Sequence, residues 1–106
     1  MPKYLIRGSY SGEGLKGLLE EGGSKRRQAA EDSIKGLGGR LEAFYYAFGD
    51  DDFVVIADLP NNVDASALSL TANASGGVKS RITVLIAPEE VDQATKKTVE
   101  FRPPGK

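Results

Sequence analysis

The sequence contains no histidine and no cysteine among its 106 residues. These absences exclude imidazole general bases, thiol nucleophiles, disulfides and metal sites built from thiolates or paired imidazoles. No apolar run approaches the roughly 20 residues that a membrane-spanning helix needs, and the first three residues lead directly into a strand pattern rather than a targeting segment. We therefore expect a cytoplasmic protein that uses carboxylate, tyrosine, hydroxyl, lysine and arginine chemistry, with no metal, no cofactor and no membrane partner.

An excess of charge of one sign is also missing. Lysine and arginine together number 14 against 15 aspartates and glutamates, which leaves a net charge of -1. Such a chain has no global field to attract nucleic acid, so a nucleic-acid partner is not expected. Its length and its 40% hydrophobic share predict one globular domain over residues 1–106, with a folded core over 2–100 and an extended, proline-bearing tail over 101–106.

Patterns along the chain predict strands alternating with helices. Apolar, aromatic and alternating segments favour strands over residues 3–10, 40–48, 53–59 and 78–87. Leucines at helical spacing predict a brief helix near residues 15–19. Capping residues, apolar spacing and terminal charges predict three more helices: one capped by Ser24 and ended by Gly38-Gly39, one capped by Asp64, and a short last helix that begins at Pro88. The Asp64 helix carries a stripe of small residues, which favours close packing on a sheet.

This order of elements predicts an α+β protein of the ferredoxin-like kind. A β-α-β-β-α-β sequence forms a four-stranded antiparallel sheet with its helices on one face, here with an additional C-terminal helix. The strand over residues 53–59 is apolar on both faces, so one of its faces needs a cover other than the helices. We therefore expect a homo-oligomer, dimeric or larger, in which two copies of the chain pack sheet on sheet.

Several segments resemble the GYD domain family of small bacterial proteins: PKYLIRGSYS at residues 2–11, EGLKG at 13–17, GGRL at 38–41 and FVVIADLP at 53–60. The resemblance extends from residue 2 to about residue 90. It implies a ferredoxin-like subunit allied to the dimeric α/β-barrel proteins, in which two sheets face one another. It implies no activity, because the function of the family is unknown. Gly49 and Asp52 fit the family's glycine-tyrosine-aspartate run, where they are interpreted as turn residues, but Asp51 stands at the tyrosine position.

Polar and aromatic side chains on the predicted strands suggest a ligand-binding pocket. An aromatic wall combined with one cation and one acid suits small aromatic or carboxylated molecules. Packing of the tyrosines in the core is the alternative interpretation. The candidate ligand-binding residues are Arg7, Tyr10, Tyr45, Tyr46 and Asp58.

The start of the Ser24 helix suggests an anion site. Free backbone N–H groups at a helix start receive anions, and cations follow directly in this sequence. A solvated basic turn paired with nearby glutamates is the alternative. The candidate anion-binding residues are Ser24, Lys25, Arg26 and Arg27. The acidic run over residues 50–52 is interpreted as a wet turn, because it lacks the later glutamate of a calcium loop.

The function favoured by these features is that of an oligomeric domain that binds a small organic molecule. One alternative is a small isomerase or cofactor-independent oxygenase of the α/β-barrel kind that uses Asp58, Tyr46 or Arg7. In such an enzyme a carboxylate base needs a raised pKa. The other alternative is a regulatory module whose partner is another protein. The residues leave open whether the protein is an enzyme.

Overall fold

Four antiparallel strands form a single sheet in the computed structural model, which describes residues 1–106. The strands are β1 (Lys3–Tyr10), β2 (Arg40–Tyr46), β3 (Phe53–Asp58) and β4 (Val78–Leu85). Their order across the sheet is β2-β3-β1-β4, and every neighbouring pair is antiparallel. The predicted sheet is confirmed, with the first strand of the chain in a central position.

Four helices complete the α+β fold, including the predicted C-terminal one. They are α1 (Gly12–Glu21), α2 (Gly23–Gly36), α3 (Asn62–Ala74) and α4 (Pro88–Thr95). α2 packs on the β2 side of the sheet, α3 packs on β4, and α1 lies against α2 and the end of β1. The long helices therefore stand over opposite halves of one sheet face.

Two of the predicted helix caps are wrong, one by two residues and the other by three. Gly22 has a φ of 85° and separates α1 from α2, so the chain is already helical at Gly23 and Ser24 lies within the first turn. α3 is capped by Asn61, whose side chain accepts a hydrogen bond from the backbone N–H of Asp64 at 2.9 Å. Asn61 follows directly after Pro60, where the chain turns, and therefore starts the helix before Asp64 can cap it.

The predicted glycine end of α2 is confirmed. Gly38 has a φ of 85°, a left-handed conformation that glycine adopts without steric cost. Its N–H donates to the carbonyl of Lys35, and the N–H of Gly39 donates to that of Ile34, each at 2.9 Å. This pair of hydrogen bonds satisfies carbonyls that the end of the helix leaves free.

β2 and β4 are each two residues shorter than predicted. β2 ends at Tyr46, and Phe48 in the following loop has a φ of 52°, which takes the chain out of the strand conformation. β4 ends at Leu85, before Pro88 begins α4. The loop between β2 and β3 therefore spans residues 47–52.

The buried core lies between the sheet and the two long helices. Its largest fully buried side chains are those of Tyr4, Ile34 and Leu59. The hydroxyl of Tyr4 donates to the side-chain oxygen of Asn62 at 2.6 Å, which ties β1 to the start of α3. Gly8 permits the close approach of β4, since a Cβ there would lie 2.3 Å from the carbonyl oxygen of Lys79.

The C-terminal segment differs from the rest of the chain in its exposure. Every residue from 86 to 106 is exposed, and α4 buries none of its residues. The molecule accordingly measures 55 Å along its longest axis and 22 Å along its shortest. None of the four helices combines the length and the apolar character that crossing a bilayer requires.

Candidate functional site

A cleft lies between α2 and α3 above the sheet. Small side chains form its two helical walls: Ala29, Ala30 and Ser33 on α2, and Ser69 and Ala72 on α3. These side chains are too short to meet across the gap, and the space between them measures about 330 Å³. The small residues of α3, which predict close packing on the sheet, instead border an open volume between the two helices.

The floor of the cleft is apolar and partly aromatic. Phe44, Phe53 and Tyr10 contribute rings, and Val55 and Ile82 contribute branched side chains. The rings of Tyr10 and Phe53 lie 5.3 Å apart and are tilted by 53°. Spacing and tilt of this kind are typical of favourable aromatic pairs, so the floor is a well-packed surface.

A second aromatic group borders the floor at β2. The rings of Phe44 and Tyr46 lie edge to face with centroids 5.1 Å apart, and the ring of Phe48 stacks on Tyr46 at 5.7 Å. The Tyr46 hydroxyl donates to the carbonyl of Gly23 at 3.0 Å. This bond holds the start of α2 against β2 and positions the next residues of α2 over the cleft.

Arg26 is the one cation that lines the cleft. Its Nη1 lies 3.4 Å from Oε2 of Glu21 at the end of α1, and 39% of its side chain is exposed. A wider recess of about 490 Å³ continues from the cleft towards α1 and shares Arg26, Tyr10, Ser33 and Ala72 with it. The guanidinium therefore stands where the apolar cleft meets the wider, more polar recess.

Tyr10 supplies a neutral hydroxyl at the same place. Partial burial, supported by neighbouring Tyr46 and opposed by Arg26, raises the pKa of Tyr10 to about 12. A phenol with this pKa keeps its proton at any physiological pH. Tyr10 is therefore available as a hydrogen-bond donor beside the Arg26 cation.

The five candidate ligand-binding residues do not form one pocket. Tyr10 lines the cleft and Tyr46 borders it, whereas Arg7, Tyr45 and Asp58 belong to the opposite face of the sheet. The register shows the division, because Arg7 and Tyr45 both stand opposite Val54 while Tyr46 stands opposite Phe53. Adjacent residues of a strand point to opposite faces, so Tyr45 and Tyr46 cannot serve one site.

The candidate acid Asp58 takes part in an ion-pair cluster at one end of that opposite face. Lys3 lies 2.9 Å and Arg40 lies 3.1 Å from its carboxylate, and Lys3 also contacts Glu42 at 2.8 Å. The hydrogen bond from Lys3, supported by that from Arg40, lowers the pKa of Asp58 against the opposing effect of burial. This direction is opposite to the raised pKa that a catalytic base requires.

The candidate anion site is divided in a similar way. Ser24, Lys25 and Arg27 are exposed and line neither the cleft nor its extension, and only Arg26 faces that space. The predicted N-cap role of Ser24 belongs to Gly22, which offers no side chain to the helix start. Only one of the four cationic or hydroxyl candidates is therefore positioned to contact a molecule in the cleft.

The acidic loop is less exposed than the sequence suggests. The side chain of Asp51 is 13% exposed and pairs with Arg81 at 3.2 Å and Arg7 at 3.9 Å. The carboxylate of Asp52 accepts a hydrogen bond from the N–H of Tyr10 at 2.9 Å. The interpretation of this run as a wet turn is thus wrong for Asp51 and Asp52, which connect the loop to β1 and β4. No group of three or more carboxylates is arranged to hold a metal ion.

Sequence reasoning missed most of the residues that shape the cleft. Phe44 and Phe53 on the floor and Ala29 and Ala30 on the wall had no chemical signature of their own. The one sequence feature that could have indicated a cleft is the presence of small residues on both long helices. Whether such stripes pack tightly or leave space depends on the distance between the helices, which the sheet determines.

Comparison with known proteins tests the family resemblance that the residue pattern predicts. No curated protein matches the sequence significantly. The family model described as the GYD domain matches residues 4–95, which include all four helices and all of the strands except the first residue of β1. The predicted resemblance is therefore confirmed, and the chain belongs to the GYD domain family.

Proposed function

We propose that the protein binds a small, largely apolar organic molecule in the cleft between α2 and α3. The observation that carries this proposal is a largely apolar space of about 330 Å³ that Arg26 and Tyr10 border and whose remaining polar groups are serine hydroxyls. Ligand sites in proteins are mostly apolar clefts of about 300–1,000 Å³ with a few polar groups that orient the ligand. The size and the composition of this cleft both agree with that description.

Filling the cleft tests the proposal. The Ala72→Leu substitution places a longer side chain in the wall, whereas Ala67→Leu adds the same atoms at an exposed position of the same helix. Naphthalene-2-carboxamide serves as a neutral aromatic probe. We expect the melting temperature of the wild type and of Ala67→Leu to rise with probe concentration, as mass action requires.

The Ala72→Leu variant should lose this response while it keeps its fold, as judged by circular dichroism. An equal response in all three proteins would place the probe elsewhere. No response in the wild type, followed by the absence of probe-dependent NMR shifts at Phe44 and Phe53, would rule out the cleft as a binding site.

We also propose that a second copy of the chain covers the opposite face of the sheet, here called the open face and centred on Leu5, Val54 and Ile56. These three apolar side chains are half-buried in the single chain, although no helix lies over them. Ion pairs flank them at both ends of the face, around Asp58 and around Asp51. Because the acids of these clusters are already paired within one chain, a second copy brings an apolar centre and no unpaired carboxylate to the contact.

Native mass spectrometry tests this pairing. We expect the wild type to be dimeric or larger, and the Ile56→Lys variant to be monomeric because it would bury a charge at the centre of the contact. Val63→Lys on α3 is the matched control, since Val63 is 77% exposed and lies away from the open face. A monomeric wild type, or a dimeric Ile56→Lys variant, would contradict the proposal.

A further inference from the structure

We propose that the ligand of the cleft is a monoanion, an aromatic or branched carboxylate whose oxygens bind Arg26 and Tyr10 while its apolar body lies on the aromatic floor. This inference rests on the proposed binding role of the cleft and adds the chemical class of the ligand. It is carried by the arrangement of donors, charges and apolar surface at one point of the cleft.

Arg26 offers hydrogen-bond donors that suit a carboxylate. A guanidinium carries five N–H donors in a planar fork that matches the two oxygens of a carboxylate. The one ion pair of Arg26, with Glu21, is 3.4 Å long, whereas charge-assisted N–H···O bonds are typically about 2.7–2.9 Å. Most of the donor capacity of Arg26 is therefore unused, and it borders both the cleft and its extension.

The charges around the cleft favour a single negative charge. Glu21 is the only acid that lines the wider recess, and Arg26 is the only base. Their pair is half-exposed and correspondingly weak, so a ligand carboxylate can replace Glu21 as the partner of the guanidinium. A dianion would face one cation and a neighbouring carboxylate, which makes a phosphate a poorer match than a carboxylate.

The hydroxyl groups add a second donor on the sheet side of Arg26. Tyr46 donates its proton to the carbonyl of Gly23, which leaves Tyr10 as the phenol that can turn towards a ligand. The Tyr10 ring also packs on Phe53, so its hydroxyl stands at the edge of the aromatic floor. A carboxylate held by Arg26 and Tyr10 thus directs its attached ring or branched chain onto that floor.

Two probes of the same shape separate this inference from the proposed function. Naphthalene-2-carboxylate and naphthalene-2-carboxamide share one shape, but the amide replaces a charged acceptor oxygen with a neutral NH2 donor. Their dissociation constants are measured by NMR titration at pH 7. We expect the wild type to bind the acid about 10-fold or more tightly than the amide, as a hydrogen bond to a charged group provides. Tyr10→Phe should reduce this preference in part.

The Arg26→Gln variant should lose the preference for the acid while it binds the amide as the wild type does. Arg27→Gln removes a charge from the next, exposed position of α2 and should keep the preference. Equal affinities for the two probes in the wild type, or a preference that survives in Arg26→Gln, would overturn the monoanion inference and leave the cleft as a neutral binding site. Failure of both probes to bind, or binding that persists in Ala72→Leu, would overturn the proposed function and this inference together.

Discussion

The two faces of the sheet arrange the same kinds of residue in opposite ways. On the open face the acids are paired within the chain, with Asp51 between two arginines and Asp58 between a lysine and an arginine. On the helix-covered face Arg26 has one weak partner and stands beside an open apolar volume. Carboxylates that are already paired within the chain suit a surface that associates with a second copy. The unused N–H donors of Arg26 beside the cleft suit a site that binds a ligand.

The strongest test of this contrast compares two isoleucines. Ile34 on α2 is 2% exposed in the core, whereas Ile56 on β3 is half-buried on the open face. We expect Ile34→Ala to lower the free energy of unfolding by about 2–5 kcal/mol, because it removes buried methyl groups and leaves a cavity. Ile56→Ala should cost roughly 1 kcal/mol in a dilute monomer.

Urea unfolding monitored by circular dichroism at two protein concentrations measures both variants. In a sheet-on-sheet dimer the loss caused by Ile56→Ala should grow with protein concentration, since mass action adds the association to the stability of the wild type. Equal losses for the two variants at low concentration would show that the faces are equally buried and would remove the contrast.

A smaller effect is expected where the covered face makes its buried hydrogen bond. Tyr4 is 1% exposed and donates to Asn62 at 2.6 Å. Tyr4→Phe keeps the ring and removes the hydroxyl, so the unfolding free energy should fall by about 1 kcal/mol. Asn62→Ala in the same background measures the coupling, and a double variant that loses the sum of the two single losses would contradict a direct interaction.

Alkaline pH should reveal the partial burial of Tyr10 on the helix-covered face. The raised pKa of Tyr10, about 12, means that the unfolded chain loses this proton first as the pH rises above 10. Tyr10 therefore contributes stability that is fully present below pH 10 and is lost as the pH rises towards 12. The raised pKa of Lys3 adds a loss of the same sign above its ordinary value of 10.5.

Urea unfolding at several pH values from 9 to 12 measures how steeply the free energy of unfolding falls as the pH rises. Tyr10→Phe should make this fall less steep but should not abolish it, because the Lys3 contribution persists. If the free energy of unfolding fell equally steeply with pH in Tyr10→Phe, burial would not raise the pKa of Tyr10 in the folded protein.

The smallest effect is expected at acid pH on the open face. The lowered pKa of Asp58 means that its ion pairs stabilise the folded chain above the ordinary aspartate value of 3.8 and that this stabilisation is lost as the pH falls through the lower, folded value. Asp58→Asn should flatten the acid limb of the stability profile. Raising the salt concentration should weaken the effect in the wild type, because Lys3 and Arg40 are partly exposed.

Local patterns predicted the order of the elements well, because strands and helices differ in the period of their apolar residues. The alternation in β4 identified its two faces, and Gly38 marked the end of α2. The caps were less predictable, since Ser24 and Asp64 are good capping residues that lie two and three positions after the residues that cap the helices. The residue that caps a helix is the one that ends the preceding turn, and here those residues are Gly22 and Asn61.

The candidate site was predictable only in part. Tyr10 and Arg26 were both identified by their chemistry, but they had been assigned to different sites, and Tyr10 was grouped with Arg7 and Asp58. The division follows from the strand registers, which place Arg7 opposite Val54 rather than beside Phe53. Neither residue type nor spacing along one strand says which face the helices cover.

The sequence by itself determined the composition of the two faces: the absence of imidazole and thiol groups, the alternation that gives each strand two different sides, and the small residues on both long helices. Membership of the GYD domain family also follows from it. Only the tertiary structure decided that α2 and α3 stand apart over the sheet, so that their short side chains enclose a cleft with Arg26 and Tyr10 at its border. The physical reason is that the spacing of two helices depends on the width of the sheet beneath them, which arises from pairings between residues far apart in the chain.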